Sequence, residues 1–512
     1  MRLREILCGT ALAVCAASSG AQDTSAFAAI RDSIRAIMAA QNLPSIAVAV
    51  AKGDRILWEE GFGYANREKQ IKATPETIYS LASISKPFTA TGMMVLVERG
   101  KIDIDHPANE YLGMSKLRVY EGDASSITLR RILSHSAGLP LHYQFFYEGG
   151  PKQISDDEAI AHYGFSAYPP GDAYFYSNLG FGIIGHINER VGGEPYAQYM
   201  RDEVFEPLGL HNTLVSSGAG LGDRAAVRYD NDLTVLKPYV FDHMGASAVW
   251  SSAHDLVRFG MFHVGATVPG QRQIISKETR AKMQRAESPP SGPGTAYGLG
   301  WGTLEDDGGY RRISHTGGMP GVSTFLNLYP SEQLVIVVLV NRANASGAPR
   351  VSNMIAGALL PGYNAKRARA LEAARARAAT TTPPARDPAR FNAILGVWTG
   401  SILVERDTVR FVITVKPDAD IHVGFGNQLP VVLSNGAVGD GMFTGSFQAP
   451  LRAPDATPDS ARSRVVASMT LRVRGDQMTG WVSSITQGGL AYGAVSYFAK
   501  LTRQQSNSNT GR

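Results

Sequence analysis

The stretch that decides how this chain is interpreted is LASISKP, residues 81–87. Apolar residues follow it at helical spacing as far as Gly100, so the stretch predicts the first turn of a helix. Residues three apart share a face of a helix, so Ser83 and Lys86 are expected to project together, whereas Ser85 points elsewhere. Such a serine can act as a nucleophile, with its own backbone N–H as an oxyanion donor. The alternative is a helix-capping serine beside a solvated lysine.

Two later segments decide between these alternatives, because a lone S-x-x-K spacing occurs by chance about once or twice in a chain of this length. The first is Tyr176-Ser177-Asn178, on a turn that precedes an apolar helix. The second is His315-Thr316-Gly317, at the end of a strand and followed by residues suited to close backbone approach. Each alone is more often a core aromatic, a turn or a strand-end histidine. Together and in this order, the three segments indicate one reactive site.

The order and spacing of these segments, with ITLRRILSHSAGLP at 127–140 and YGLGW at 297–301, resemble the serine β-lactamase and penicillin-binding protein superfamily. The resemblance covers roughly residues 25–360 and is to the class C-like branch. That branch contains class C β-lactamases, D-alanyl-D-alanine carboxypeptidases, D-aminopeptidases and family VIII esterases. It implies an α+β fold with an antiparallel sheet flanked by helices, and hydrolysis through an acyl-enzyme.

The resemblance assigns catalytic roles to four residues. Ser83 is the implied nucleophile and Lys86 its partner in activation. Tyr176 is implied to take the proton from Ser83 and later to serve the attack of water. Asn178 is implied to bind the substrate amide and to orient Lys86. A tyrosine that acts as a base near neutral pH needs its pKa lowered by about 2–3 units, a shift that an adjacent lysine can supply. The sequence leaves open whether Tyr176 or Lys86 is the general base.

The resemblance also implies how a substrate binds. His315, Thr316 and Gly317 form the edge strand against which it lies, and the backbone N–H of Gly318 joins that of Ser83 in the oxyanion hole.

His315 stands where class C β-lactamases usually carry a lysine that favours substrates with a carboxylate. Histidine titrates near ~6.5, so His315 is expected to be mostly neutral, which argues against strong β-lactamase activity. Asn344 and Arg350 loosely resemble the asparagine and arginine that recognise carboxylates in class C enzymes, although the spacing differs.

The N-terminus has the pattern of an export signal, with a basic region at 2–4, an apolar region at 6–17 and small residues before a cleavage site after Ala21. We therefore expect a periplasmic or secreted protein. Both cysteines of the chain, Cys8 and Cys15, lie inside this signal, so the mature protein would carry no thiol. A lipoprotein anchor at Cys15 is not expected, because a valine precedes it where a small residue is needed.

Composition shifts predict four segments along the chain. They are a signal peptide at 1–21, a β-lactamase-like hydrolase domain at 22–362, an Ala/Arg-rich helix with a Thr/Pro linker at 363–388, and an all-β domain at 389–505. Strands at both ends of the hydrolase domain are expected to share one sheet. Gly396-Val397-Trp398 resembles the G-x-W opening of lipocalin-like barrels, and a β-sandwich is the alternative for this last domain.

Several function classes find no support in the sequence. There is no G-x-S-x-G and no phosphate-binding loop, and no H-E-x-x-H or closely spaced His/Asp set suggests a catalytic metal, so neither a cofactor nor a metal is predicted. A formal charge of +5 on 512 residues gives no reason to expect a nucleic-acid partner. After removal of the signal no membrane insertion is expected, because the longest aliphatic run, Leu334–Val340, suits a buried strand. The oligomeric state stays open.

The leading hypothesis is therefore an exported serine hydrolase that acts on an ester, a D-amino-acid amide or peptide, or a β-lactam. A true class C-like β-lactamase, a D,D-carboxypeptidase and a non-catalytic binding or sensor protein on the same fold are the alternatives. The expected partner is a small-molecule or short-peptide substrate.

Overall fold

The computed structural model of this chain describes residues 27–147, 153–380, 387–404, 407–449, 464–487 and 491–505. The predicted signal peptide, with its cleavage site and both cysteines, lies outside the described residues. None of the described helices is long and apolar enough to cross a membrane.

Helices pack on both faces of the large sheet, and one of them, α2, begins two residues after Ser83. In chain order they are α1 (Ala28–Gln41), α2 (Ser85–Glu98), α3 (Leu129–Leu133), α4 (Asp156–Tyr163), α5 (Asn178–Gly192), α6 (Tyr196–Met200), α7 (Met244–Ser247), α8 (Ala253–His263), α9 (Lys277–Met283), α10 (Gly347–Leu359) and α11 (Tyr363–Thr380). Every residue of α2 from Ser85 to Leu96 is buried, so α2 is the central helix of the core. It is followed by Gly100, whose φ of 67° suits a glycine after a helix.

The strands of the first part of the chain build one large antiparallel sheet and several short pairings. They are β1 (Ser45–Lys52), β2 (Arg55–Asn66), β3 (Ile71–Lys72), β4 (Tyr79–Ser80), β5 (Arg118–Val119), β6 (Tyr143–Tyr147), β7 (Phe165–Ser166), β8 (Leu214–Val215), β9 (Tyr239–Phe241), β10 (Val249–Ser251), β11 (Thr295–Tyr297), β12 (Gly302–Leu304), β13 (Arg312–Met319), β14 (Val322–Tyr329) and β15 (Leu334–Val340). The order in the large sheet is β11-β12-β13-β14-β15-β1-β2-β3.

The large sheet joins the two ends of the hydrolase region, as the sequence predicts. β1 pairs with β15 in a register that places Ile46 opposite Val340. The alternate residues of β1 pack into different apolar clusters: the alanines face α2 and α8, whereas Ile46, Val48 and Val50 face α1 and α10. Burial on both faces explains why this strand is apolar at nearly every position.

The C-terminal part forms a second antiparallel sheet that is nearly closed into a barrel. Its strands are β16 (Gly396–Val404), β17 (Asp407–Val415), β18 (Ile421–Phe425), β19 (Val431–Val432), β20 (Ser434–Gly439), β21 (Met442–Gln448), β22 (Arg464–Arg474), β23 (Gln477–Gln487) and β24 (Ala491–Arg503). They run in the order β19-β18-β17-β16-β24-β23-β22-β21-β20. Trp398 of the G-x-W segment is fully buried, and its indole N–H donates to the carbonyl of Ile394 at 2.8 Å. The predicted all-β architecture is confirmed.

The C-terminal sheet also contains two short strands from the hydrolase region, which the sequence does not predict. β6 comes from the hydrolase region, yet it pairs with β24 of the C-terminal sheet on one side and with β9 on the other. β6 begins at Tyr143, shortly after the segment that packs on α5. Its pairing with β24 therefore connects this part of the hydrolase region to the C-terminal sheet by backbone hydrogen bonds.

Candidate active site

A short 3₁₀ turn at Ala82–Ile84 carries Ser83 directly into α2. Ala82 has a φ of 49°, and this left-handed residue aims the turn at β13, which is not an edge strand but pairs with β12 only as far as Ser314. There, Gly317 lies so close that a Cβ atom on it would stand 2.0 Å from the carbonyl oxygen of Leu81. Thr324 on β14 donates its hydroxyl to the same carbonyl at 2.9 Å. The glycine of the HTG segment is thus what lets β13 approach the turn that holds Ser83.

Lys86 is fully buried beneath this turn and has three polar neighbours. Its Nζ lies 3.1 Å from the hydroxyl of Ser83, 2.7 Å from Oδ1 of Asn178 and 3.1 Å from the carbonyl oxygen of Ala246. Burial lowers the pKa of Lys86 well below its ordinary value, because the interior penalises the ammonium form. As an ammonium, Lys86 donates to all three oxygens. If it loses a proton, two N–H groups suffice for Asn178 and Ala246, and the lone pair is left for the hydroxyl of Ser83.

The second serine of the stretch does not take part in this arrangement. Ser85 is fully buried, donates its hydroxyl to the carbonyl of Ala82 at 2.7 Å and accepts from the backbone N–H of Val249 at 2.9 Å. The prediction that Ser85 points away from the pair formed by Ser83 and Lys86 is confirmed.

Tyr176 lies beside the same hydroxyl, and its pKa is raised, not lowered. Burial raises the pKa of Tyr176 above its ordinary value, and the hydrogen bond with Ser83 only partly opposes this shift. Lys86 Nζ stands 4.7 Å from the centre of the tyrosine ring, so it lies over the ring face. A Tyr176 that acted as the base would need a lowered pKa, whereas desolvation by burial, the largest effect here, raises it. Tyr176 keeps its proton near neutral pH.

Asn178 is placed by the start of α5. Ser177 caps this helix, since its hydroxyl accepts from the N–H of Gly180 at 2.9 Å while it donates to the carbonyl of Pro140 at 2.6 Å. The N–H of Asn178 donates to the carbonyl of Leu141 at 2.9 Å. The loop before β6 thus holds both residues and directs the amide oxygen of Asn178 at Lys86.

His315 is buried, with 7% of its surface exposed, and both ring nitrogens are occupied. Nδ1 lies 2.8 Å from the carbonyl oxygen of Thr316 and must donate to it, so Nε2 accepts from the hydroxyl of Tyr297 at 2.7 Å. Burial, with a smaller effect from Lys86, lowers the pKa of His315 to about 3. The expectation of a neutral His315 is therefore met, and the imidazole supplies no positive charge to a substrate.

Three rings near the site carry no recognisable catalytic motif and were not predicted as site residues. They are Tyr174, Tyr297 and His135; the sequence favours a structural role for His135. The ring centre of His135 lies 4.3 Å from that of Tyr176 and 4.5 Å from that of Tyr297, and its Nδ1 accepts from the backbone N–H of Ser177 at 3.1 Å. The only signal was that these residues lie in or next to the segments that carry the resemblance.

Two cavities meet at β13 beside Ser83. The smaller, of about 350 Å³, is lined by residues that include Ser83, Tyr176, Tyr297, His315, Thr316 and Gly318. The larger, of about 1020 Å³, lies on the other side of Thr316 and Gly318 and is lined in part by Asn344. Arg350 is exposed on α10 and is not among the described residues that line either cavity, so the fold does not bring it to Ser83. Asn344 is exposed in the larger cavity.

A serine hydroxyl beside a buried lysine amine, next to strand β13 of an antiparallel sheet, defines the class of this protein: it is a serine hydrolase with the β-lactamase and penicillin-binding fold. The family model described as Beta-lactamase matches residues 30–358. The chain belongs to the beta-lactamase family.

Curated relatives agree with this assignment. Penicillin-binding protein 4* of Bacillus subtilis is 27% identical over 317 residues, which are 58% of this chain and 67% of the relative. Protein flp of Staphylococcus aureus strain MW2 is 22% identical over 316 residues, which are 60% of this chain and 62% of the relative. The chain thus spans about two thirds of the length of these relatives.

Solved structures share the fold. The octameric penicillin-binding protein homologue from Pyrococcus abyssi covers 93% of this chain and all of its own length, with a TM-score of 0.56 and 21% identity. A class C beta-lactamase covers 67% of this chain and 98% of its own, with a TM-score of 0.57 and 18% identity. EstCE1, a hydrolase with promiscuous acyltransferase activity, covers 66% and 99%, with a TM-score of 0.55 and 22% identity.

Proposed function

We propose that this protein is an exported hydrolase that forms an acyl-enzyme at Ser83 and acts best on small esters and D-amino-acid amides without an essential carboxylate. The observation that carries the proposal is the 3.1 Å distance between the hydroxyl of Ser83 and the amine of the fully buried Lys86. Export to the periplasm or the medium rests on the predicted signal peptide, and the expected partner is a small or short-peptide substrate.

Acylation begins with the neutral amine of Lys86. It takes the hydroxyl proton of Ser83 as the serine oxygen attacks the carbonyl carbon of the substrate, and Lys86 becomes an ammonium. The negative charge that develops on the carbonyl oxygen is stabilised by the backbone N–H groups of Ser83 and Gly318. Asn178 and the carbonyl of Ala246 stabilise the ammonium form, because both direct oxygen atoms at Nζ.

Tyr176 donates the proton that the leaving group needs. Because its pKa is raised, it holds a proton that it can donate when the tetrahedral intermediate collapses, and the ammonium of Lys86 can return a proton to the phenolate. In deacylation the same pair works in reverse, so that water loses a proton through Tyr176 to Lys86. This assignment makes Lys86 the general base and Tyr176 the relay.

The choice of substrate rests on charge. Of the described residues that line the smaller cavity, Arg312 is the one permanent cation, and it is paired with Asp307 at 2.8 Å. His315 is neutral, and Arg350 lines neither cavity. A substrate carboxylate would therefore find no free positive charge there, which supports esters and amides over D,D-peptides or typical β-lactams, whose carboxylate must be bound.

Intact-mass spectrometry tests the proposal on the mature protein exposed to a short acyl ester, a D-alanyl amide and a penicillin. We expect rapid ester turnover and an acyl adduct that maps to residues 81–87 and is absent in Ser83→Ala. The Ser85→Ala variant is the matched control and should still form the adduct. Absence of both Ser83-dependent turnover and a Ser83-dependent adduct with all three compounds would refute the proposal and favour the non-catalytic alternative.

The same experiment separates the remaining alternatives. Cephalosporin turnover faster than ester turnover, lost in Ser83→Ala, would support a true β-lactamase. A long-lived penicilloyl adduct together with release of D-alanine from a D-alanyl-D-alanine peptide would support a D,D-carboxypeptidase.

A further inference from the structure

A second group of reactive side chains lies behind the site, where β6 and β9 pair. His142 directly precedes β6, and Asp242 and His243 directly follow β9. The antiparallel pairing places Phe145 opposite Phe241, and the N–H of Asp242 donates to the carbonyl of Gln144 at 3.1 Å. The pairing thus brings together residues that are about a hundred positions apart in the chain.

The three side chains are buried, and most of their polar atoms have no hydrogen-bond partner among the described residues. His142 is 0% exposed, His243 1% and Asp242 4%. Both ring nitrogens of His142, Nε2 of His243 and both carboxylate oxygens of Asp242 have no hydrogen-bond partner among the described residues. A carboxylate and two imidazoles in the interior without partners are strongly unfavourable, so these atoms need a ligand that neutralises and binds them.

The distances fit one kind of ligand. Nε2 of His142 and Nε2 of His243 each lie 3.4 Å from Oδ2 of Asp242, too long and too poorly aligned for good hydrogen bonds. Ligands at ~2.0–2.1 Å from a tetrahedral zinc ion are separated by about 3.3–3.4 Å, whereas adjacent ligands in an octahedron are closer, at about 2.9 Å. The ligand atoms of all three residues lie within 4.8 Å of one another.

We propose that His142, Asp242 and His243 bind one divalent transition-metal ion of the zinc type, with a water molecule as the fourth ligand. Two imidazoles and a carboxylate suit zinc and its neighbours, and do not suit calcium or magnesium, which prefer oxygen ligands alone. The site is distinct from the Ser83 nucleophile, and the proposed hydrolysis takes no step through it.

The metal ligands are connected to the environment of Lys86 from two directions. His142 follows Leu141, whose carbonyl accepts from the N–H of Asn178. His243 precedes α7, and its carbonyl accepts from the N–H of Ala246, whose own carbonyl accepts from Lys86. Each of the two residues that offer an oxygen to Lys86 is therefore held by a backbone hydrogen bond, either to a metal ligand or to the residue next to one. We assign the ion a positioning role that holds these acceptors in place.

Packing on α5 supports the same role. A Cβ atom on Gly182 would lie 2.6 Å from Nδ1 of His243, so the helix that begins at Asn178 has a glycine where the histidine ring rests. β6, the strand that directly follows His142, also pairs with β24. The ion would therefore tie the C-terminal sheet to the active site as well.

Metal analysis of the full mature chain, purified without a polyhistidine tag and dialysed against metal-free buffer, tests the proposal. We expect about one equivalent of zinc or a related ion, and visible absorption bands of tetrahedral Co²⁺ after exchange. Asp242→Asn and His243→Gln should lower the metal content at least tenfold. The control is His254→Gln in the surface group formed by Glu59, Glu76 and His254, which should keep the ion.

Wild-type protein with less than a tenth of an equivalent, and no Co²⁺ bands when Co²⁺ is added, would overturn the proposal. The Co²⁺ spectrum of the wild type decides the matter even if the ligand variants fail to fold. Ser83→Ala should keep the ion, so loss of the proposed hydrolytic function would not be confused with loss of the metal site. Removal of the ion should lower kcat for an ester at least tenfold with little change in KM; unchanged kcat would overturn the positioning role.

Discussion

Acidification should destabilise this protein through His315. In the folded chain the ring is buried between Tyr297 and the carbonyl of Thr316, and its pKa is about 3. In the unfolded chain a histidine titrates near ~6.5. Because the folded pKa is the lower one, the unfolded chain binds more protons between these values. The stability contributed by a neutral His315 is therefore complete above about pH 6.5 and is lost as the pH falls towards 3.

The size of this loss follows from the two pKa values. At pH 4 the unfolded histidine is almost fully protonated and the folded one almost fully neutral, so the free energy of unfolding should fall by about 3 kcal/mol relative to pH 8. His263, whose pKa burial lowers to about 3, adds a loss of its own. A comparison with a His315 variant isolates the part that belongs to His315.

Urea unfolding followed by tryptophan fluorescence from pH 8 to pH 4 measures the effect. His315→Gln stays neutral throughout, so its stability should fall by about 3 kcal/mol less than that of the wild type over this range. The matched control is His106→Gln, because His106 has more than half of its side chain exposed, and its pH dependence should follow the wild type. An equal loss in His315→Gln and wild type would refute the reasoning.

Three further predictions concern the site itself. Lys86→Met should lower the acylation rate at least ~10³-fold, since no base remains beside Ser83; a stopped-flow burst that survives would contradict this. Tyr176→Phe should reduce p-nitrophenyl ester acylation less than ~10-fold but amide hydrolysis ~100-fold or more, because only the amine leaving group needs a proton; equal losses would argue against the relay. Gly317→Ala should lower the unfolding free energy by about 2–4 kcal/mol in thermal melts, because its Cβ would meet Leu81, whereas Gly318→Ala has open space and should change it little.

The site residues that could be predicted are those in short segments whose spacing has chemical meaning. Ser83 and Lys86 lie one helical turn apart, so local helix geometry alone brings them together. Tyr176 and Asn178 were recognisable because the order of the segments follows the family pattern. Tyr297 and His135 could not be assigned, because a buried tyrosine and a buried histidine look the same in sequence whether or not they face a cavity. Arg350 shows the reverse error, since a residue of suitable type lies exposed and away from both cavities.

Charge states were harder to predict than positions. The sequence indicates that a lysine stands near a tyrosine, and such a lysine can lower the pKa of the tyrosine. Only the structure gives the depth of burial, and burial raises the pKa of Tyr176 while it lowers that of Lys86. For this reason we propose Lys86, not Tyr176, as the base. Desolvation depends on every atom packed around a group and not only on its neighbours in the chain.

The sequence by itself determined the fold class, the family and the pairing of Ser83 with Lys86, because periodic apolar patterns and short motifs are local properties of the chain. Only the tertiary structure decided the neutral state of His315, the pairing of β6 with the C-terminal sheet, and the group of His142, Asp242 and His243. These depend on contacts between residues far apart in sequence. Such contacts are fixed by the packing of the whole core, which no short segment specifies.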